Sequence, residues 1–102
     1  MGFEREDTDI LDEDDVEVME PSDYAVIIFN DNVSTFELVI YILMNIFHRS
    51  KEEAEELTMK IHQEGEAEVG RYTYDIALTK KIISEDQARK VGYPLKLELR
   101  KV

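Results

Sequence analysis

The sequence contains no cysteine, only four glycines and only two prolines among its 102 residues. Without cysteine there is no disulfide, no thiolate nucleophile and no zinc site built on cysteine ligands. The four glycines form no phosphate-cradling pattern, and the Gly-x-Ser-x-Gly motif of many hydrolases is missing. We therefore expect a protein that is not an enzyme and that carries no cofactor.

Long apolar runs are also missing. The longest, residues 38–47, is interrupted by Asn45 and is too short to cross a bilayer, so it predicts a buried helix. No positively charged start followed by an apolar stretch marks a secretory signal. We expect a single domain, as the length indicates, in a cytoplasmic protein without a membrane partner.

Negative charge is concentrated at the N-terminus of a chain whose net charge is −12. Residues 1–20 contain ten acidic residues and Arg5 as their one base, whereas residues 24–102 contain thirteen acidic and eleven basic residues. Residues 1–23 also lack a sustained apolar period. The pattern predicts a flexible acidic extension over residues 1–23, followed by a nearly neutral domain over residues 24–102. Nucleic acid is not expected as a partner, because no basic groove is visible.

A predicted strand, residues 24–29, runs into the polar stretch Asn30-Asp31-Asn32. Ser34 and Glu37 then have the spacing of a capping box, which predicts a largely apolar helix from about Thr35 to His48. A polar turn beside an apolar helix suits a ligand with a polar head and an apolar tail. The same residue types are equally typical of an ordinary turn.

The rest of the chain predicts two more helices and two more strands. A second capping box from Ser50 to Glu53 opens a helix that Gly65 ends, and residues 66–72 alternate as a strand or hairpin. Thr73 can cap a third helix that reaches about Val91, and residues 95–102 form a last alternating strand. The order β-α-α-β-α-β predicts an α+β fold, with a three-stranded open sheet and helices packed on one face.

Periodicity also predicts which residues of each element face inward. In the second helix the inward set is Ala54, Leu57, Thr58, Ile61 and His62. The apolar set of the third helix is Ile76, Ala77, Ile83, Ala88 and Val91. Lys80, Ser84 and Gln87 interrupt it, which predicts a surface-lying helix with one half-buried side. In the residues 66–72 segment, one side carries Ala67, Val69 and Arg71. His62, near a helix end, also fits a histidine that interacts with the carbonyl end of the helix dipole.

Several separated groups of residues agree in order and spacing with one family. They are Asn30-Asp31-Asn32 with Ser34, Phe36, Glu37 and Val39; His62-Gln63-x-Gly65; Gly70-x-Tyr72-Thr73-x-Asp75-x-Ala77-x-Thr79-Lys80; Ala88-Arg89; and Pro94-Leu95. From about Tyr24 to Leu99 the chain thereby resembles the ClpS family, adaptors that deliver N-degron substrates to Clp-type AAA+ proteases. The resemblance implies two partners, N-degron proteins and the N-terminal domain of a Clp-type AAA+ unfoldase. It also implies that the N-terminal extension takes part in substrate hand-over.

The resemblance also implies residue roles. Asn30, Asp31 and His62 would hold the free α-amino group of a substrate that begins with a bulky hydrophobic residue. The pocket for that side chain would be lined by Ser34, Phe36, Val39, Ile42, Thr58, Ile61 and Leu95. Asp75 and Lys80 would contact the unfoldase. We expect a monomer.

The sequence departs from the family pattern at four positions. Asn32 replaces an acid, which leaves one carboxylate fewer near the bound cation, and Thr35 replaces a proline at the helix start. Phe36 and Thr58 stand where methionine is usual, which predicts a reshaped pocket with room gained beside Thr58 and lost beside Phe36.

Two alternatives remain open at this stage. One is a protein-interaction domain of similar fold, comparable to the C-terminal domain of the ribosomal stalk protein, without N-degron binding. The other is a small metal- or ligand-binding regulatory domain that uses the acidic extension. No EF-hand spacing is present, and no recognised ligand spacing joins His48 and His62 to carboxylates.

Overall fold

The structure, a computed structural model, describes residues 23–102. Its elements are β1 (Tyr24–Phe29), α1 (Phe36–Asn45), α2 (Lys51–Glu64), β2 (Glu66–Tyr72), α3 (Tyr74–Lys90) and β3 (Lys96–Lys101). The predicted order β-α-α-β-α-β is confirmed. Apart from Asp23, the predicted extension over residues 1–23 lies outside the described residues. Within residues 23–102, no helix is both long enough and apolar enough to span a membrane.

The sheet is antiparallel, with the strand order β2-β1-β3. The central strand β1 is buried from Ala25 to Ile28, as its continuous apolar run predicts. Val26 and Ile28 pack into the core with residues from all three helices. Ile27, on the other face, pairs with Glu68 of β2 and Glu98 of β3, whose side chains are exposed. The open sheet with helices on one face is therefore confirmed.

A bulge in β2 changes which of its side chains face inward. The pairing of β1 with β2 shifts by one residue at Val69, so that Val69 and Gly70 are both buried and Arg71 is exposed. The predicted grouping of Ala67, Val69 and Arg71 on one side is wrong at Arg71, because the extra residue reverses the alternation. Gly70 suits its site, since a Cβ there would lie 2.5 Å from the Tyr72 hydroxyl oxygen.

The N-terminus of α1 lies one residue later than predicted. Thr35 is the N-cap, and its hydroxyl accepts a hydrogen bond from the amide of Leu38 at 3.1 Å. The predicted capping box of Ser34 and Glu37 is wrong. The amide of Ser34 instead donates to the Asp31 carboxylate at 2.6 Å, which holds Ser34 in the preceding turn.

The C-terminus of α1 comes earlier than the predicted position at His48. The helix ends at Asn45, and His48 has a φ of 57°, in the left-handed region that continues no α-helix. The carbonyl of Ile46, just after the helix, accepts a hydrogen bond of 2.6 Å from Nζ of Lys80 on α3. A cation from a distant helix thus satisfies this helix end, and local sequence carries no signal for it.

The predicted limits of α2 are confirmed. The Ser50 hydroxyl accepts from the Glu53 amide, and the Glu53 carboxylate accepts from the Ser50 amide, both at 3.1 Å. Gly65 ends the helix with a φ of 92°, where a Cβ would add strain. Its carbonyl accepts from the Asn30 amide at 2.9 Å, which joins the end of α2 to the end of β1.

Small residues form the buried side of α3, namely Ala77, Ser84 and Ala88. Of the predicted apolar set, Ile76, Ile83 and Val91 lie outside this buried side and are 50%, 41% and 61% exposed. Small side chains allow the helix backbone to approach the sheet closely, and the larger apolar residues lie on the outer side.

Ser84 offers a direct test of this packing. Its side chain is fully buried, and its hydroxyl has no hydrogen-bond partner among the residues that the structure describes. We expect Ser84→Ala to raise the free energy of unfolding by about 1 kcal/mol, since an unsatisfied buried hydroxyl is destabilising. Urea denaturation measures the change. Ser50→Ala is the matched control and should lower the same quantity by about 1 kcal/mol through loss of the cap. A destabilised Ser84→Ala variant would contradict the assigned packing.

Candidate ligand-binding pocket

A pocket of about 230 Å³ lies where the end of β1, the start of α1, the end of α2 and the residue before β3 meet. The hydrogen bond between Asn30 and Gly65 holds two of these segments together. The lining residues are Phe29, Asn30, Asp31, Asn32, Ser34, Phe36, Val39, Thr58, Ile61, His62 and Leu95.

Asp31 is the acidic residue of this pocket. Its Oδ1 accepts hydrogen bonds from the amides of Val33 at 2.8 Å and Ser34 at 2.6 Å, so one oxygen shapes the turn. Within residues 23–102 its Oδ2 is buried and has no hydrogen-bond partner, and the same holds for the hydroxyl oxygen of Ser34. Buried polar atoms without partners are rare and costly, so the pocket presents acceptors that suit an incoming donor.

Asp31 is ionised under ordinary conditions. Burial of this carboxyl group raises its pKa, but hydrogen bonds from the backbone amides of Ser34 and Val33 outweigh that effect, so the pKa lies below its ordinary value of 3.8. A lowered pKa means that the turn stabilises the fold above the pKa of the unfolded chain. This contribution is lost as the pH falls through the lower pKa of the folded state. The pocket therefore holds a negative charge at neutral pH.

Three polar side chains lie at the rim, where Asn30, Asn32 and His62 are all exposed. The predicted inward position of His62 is wrong, because its side chain is exposed, whereas that of the neighbouring Ile61 is buried. Its ring meets the Phe36 ring edge to face, with centroids 5.2 Å apart and planes at 72°. This contact joins α1 to α2 across the pocket mouth.

The deep wall of the pocket is apolar. Val39, Ile61 and Leu95 are each at most 6% exposed. Thr58 is also buried, and its hydroxyl donates to the Ala54 carbonyl at 2.7 Å, so that hydroxyl is already satisfied within α2. A ligand side chain that enters this pocket therefore meets mainly carbon atoms beyond the acidic head.

All but one of the predicted pocket residues come together here. Ile42 does not line the pocket: it is fully buried in the core, nearly one helical turn beyond Val39 and away from the helix start. The structure adds Phe29 and Asn32 to the lining. Their adjacency to the Asn30-Asp31 pair is the sequence signal that could have placed them.

A second groove, of about 540 Å³, contains both residues that were predicted to contact an unfoldase. Lys80 is half-buried there, with Nζ 5.1 Å from the centroid of the Tyr72 ring and bonded to the Ile46 carbonyl. Asp75 is exposed. The groove is lined by Asn45, Ile46, His48, Asp75, Ile76, Thr79, Lys80, Ile83 and Gln87. We call it the α1–α3 groove.

The fold and the pocket define a small α+β binding domain. The sequence profile of one family, described as "ATP-dependent Clp protease adaptor protein ClpS", matches residues 19–98. The chain belongs to this ClpS family of Clp protease adaptors. The family resemblance predicted from the sequence is confirmed.

Relatives and a solved structure agree with this assignment. Over 90 residues the chain is 43% identical to the ATP-dependent Clp protease adapter protein ClpS of Nautilia profundicola, covering 88% of this chain and 93% of the relative. The corresponding protein of Treponema denticola is 42% identical over 84 residues, covering 82% and 83%. The structure of Agrobacterium tumefaciens ClpS2 bound to L-phenylalaninamide matches with a TM-score of 0.79 and 29% identity, covering 81% of this chain and all of that one.

Proposed function

We propose that this adaptor binds proteins with a free, bulky hydrophobic N-terminal residue and delivers them to a Clp-type AAA+ unfoldase for degradation. The observation that carries the proposal is the buried Oδ2 of Asp31, which lies at the head of an apolar pocket and has no hydrogen-bond partner in the described part of the chain. L-phenylalaninamide, bound by the similar Agrobacterium protein, has a free α-amino group next to an aromatic side chain. In the pocket of this chain, the Asp31 carboxylate complements such an amino group and the apolar wall complements such a side chain.

The α-amino group is the proposed partner of three side chains. Asp31 supplies the opposite charge, and the side chains of Asn30 and His62 at the rim can accept hydrogen bonds from the ammonium. Each hydrogen bond to a charged group contributes about 1.5–3 kcal/mol. Recognition of the α-ammonium distinguishes an N-terminal residue from an internal one, because the backbone nitrogen of an internal residue is an uncharged amide.

The first side chain is the second part of the proposed ligand. Burial of one Leu or Phe side chain against the apolar wall contributes about 1.5–3 kcal/mol. After the cost of immobilising the peptide, the contributions of the amino group and the side chain leave a binding free energy of about −8 kcal/mol. This value corresponds to a micromolar dissociation constant. Moderate affinity suits an adaptor that must release its cargo.

Binding should depend on pH in a way that identifies the head group. We expect affinity to fall above about pH 8, where an unperturbed α-amino group loses its proton. Asp31 should keep its charge down to pH values below 3.8, because its pKa is lowered. Anisotropy titrations of a Leu-initiated peptide across this range test the proposal, and a flat profile through the amine titration would contradict it.

We propose that this chain is a monomer and that its α1–α3 groove is the surface that docks on the N-terminal domain of the unfoldase. The groove combines exposed Ile76 and Ile83 with the exposed carboxylate of Asp75. Lys80 contributes its ammonium group at the groove wall and fixes the end of α1 through the Ile46 carbonyl. The groove is separate from the pocket, so substrate and unfoldase can be bound together.

Two adjacent isoleucines allow a controlled test of this docking proposal. Ile83 lines the groove and is 41% exposed, whereas Ile82 is 54% exposed and does not line it. We expect Ile83→Ser to weaken binding to a purified unfoldase N-terminal domain about tenfold, from the loss of one buried apolar side chain. Ile82→Ser should leave binding unchanged, and both variants should keep the wild-type melting temperature. Equal effects of the two substitutions would contradict docking at this groove.

A further inference from the structure

The outward face of α1 is apolar along most of the helix. Phe36, Tyr41 and Met44 are 42%, 52% and 38% exposed, and Ile40 between them is half-buried. Residues four apart lie in line on a helix, so these side chains form one row with Tyr41 beside it. We call this row the α1 strip. A small domain seldom exposes contiguous apolar surface without using it for an interaction.

The α1 strip joins the two sites already described. Among the residues that line the pocket, Asn30, Asn32, Phe36 and His62 are exposed, and Phe36 is the apolar member of that set. At the other end of the strip, Met44 is followed by Asn45, which lines the α1–α3 groove. An apolar path therefore leaves the pocket mouth along α1 and along no other exposed lining residue.

We infer that the α1 strip holds the segment of the substrate that follows its N-terminal residue, in extended conformation and with apolar side chains. The inference rests on the proposed function and adds a preference for the sequence after the first residue. From Phe36 to Met44 the helix rises about 12 Å. An extended chain covers this distance with about four residues. The strip therefore fits roughly positions 2 to 5 of a substrate.

The chemistry of the occupant follows from the composition of the helix. Glu37 is the only charged residue of α1, and it lies in the first turn next to Phe36. A substrate segment with carboxylates there would meet this charge and the acidic pocket head. Val, Leu, Ile or aromatic side chains would instead bury their surface against Ile40, Tyr41 and Met44.

Three ligands distinguish binding at the α1 strip from binding in the pocket. Two decapeptides begin with Leu and differ only at positions 2 to 5, one with Val-Tyr-Leu-Val and the other with Ser-Gly-Thr-Ser there. Leucinamide is the third ligand and occupies the pocket alone. With the full chain in competition anisotropy, we expect the apolar decapeptide to bind about tenfold more tightly than the polar one.

The variants then assign that preference to α1. Tyr41→Ser combined with Met44→Ser should abolish the difference between the decapeptides and leave leucinamide binding unchanged. Met59→Ser is the matched control, because Met59 is 41% exposed but lies on α2. It should preserve the difference.

Each other outcome overturns the inference in a recognisable way. Equal binding of the two decapeptides, with leucinamide also bound, would contradict the proposed role of the α1 strip and would leave the proposed function intact. Preference that survives in the double variant would place the segment elsewhere. Self-association of the wild type that the double variant abolishes would assign the strip to a second copy. Failure of all three ligands to bind would contradict the proposed function itself.

Discussion

Replacing Asp31 by Asn should reduce the affinity for a Leu-initiated peptide by at least about tenfold, because a hydrogen-bonded charge contributes about 1.5–3 kcal/mol. The substitution is isosteric. In the wild type, Oδ1 of Asp31 accepts hydrogen bonds from the amides of Val33 and Ser34. An Asn side-chain oxygen can still accept both hydrogen bonds. The turn is therefore kept while the charge beside the pocket is removed. Fluorescence anisotropy with a labelled peptide measures the change.

Two other variants separate charge from structure. Glu37→Gln removes a nearby carboxylate that does not line the pocket, so affinity should stay at the wild-type level. Asp31→Ala should lose affinity and also stability, because it removes the acceptor that shapes the turn. Wild-type affinity in Asp31→Asn, with the fold intact, would mean that Asp31 serves the turn alone.

Replacing Ile42 by Ala should lower the free energy of unfolding by about 2–5 kcal/mol, the usual cost of emptying a packed core site. Ile42 is fully buried in the core cluster and does not contact the pocket. We expect the affinity for a Leu-initiated peptide to remain unchanged under conditions where the variant is folded. Denaturation in urea and anisotropy on the same preparation give both quantities.

Val39 provides the comparison on the same helix. It is 6% exposed and lines the pocket, so Val39→Ala should weaken peptide binding by removing part of the apolar wall. Val39 also belongs to the core cluster, so Val39→Ala should change both affinity and stability, whereas Ile42→Ala should change stability alone. If Ile42→Ala weakened binding as much as Val39→Ala and left stability intact, Ile42 would belong to the pocket, as the sequence alone suggested.

The order of the elements could be predicted because periodicity and turn residues are local signals. The exact ends of the helices were harder to predict. Ser34 and Ser50 both begin a Ser-x-x-Glu pattern, yet only Ser50 forms the capping box. The difference arises because Asp31 takes the amide of Ser34. Such competition depends on the folded turn, and the pattern cannot show it.

Burial on α3 shows a second limit. Apolar periodicity grouped Ile76 and Ile83 in one apolar set with Ser84 as an interruption, but the structure buries Ser84 and exposes both isoleucines. Side-chain hydrophobicity cannot indicate how closely a helix approaches a sheet, and that distance favours small residues here. The exposed isoleucines are therefore better explained by an interaction surface than by the core.

The candidate pocket was predictable mainly through the family resemblance. Residues near positions 31, 58 and 95 are distant in sequence, and no local pattern brings them together. The turn and the apolar helix suggested a two-part ligand, but not the contribution of α2 or Leu95. The family resemblance supplied those residues. It also predicted Ile42, which the structure places in the core and not in the pocket lining.

One measurement tests the proposed function most directly. A labelled peptide that begins with a free Leu is titrated with the full chain by anisotropy, beside a copy that differs only by N-acetylation. We expect the free peptide to bind with micromolar affinity and the acetylated copy to lose binding, because acetylation removes the cation that Asp31 is proposed to hold. Equal binding of the two peptides would contradict recognition of the free N-terminus.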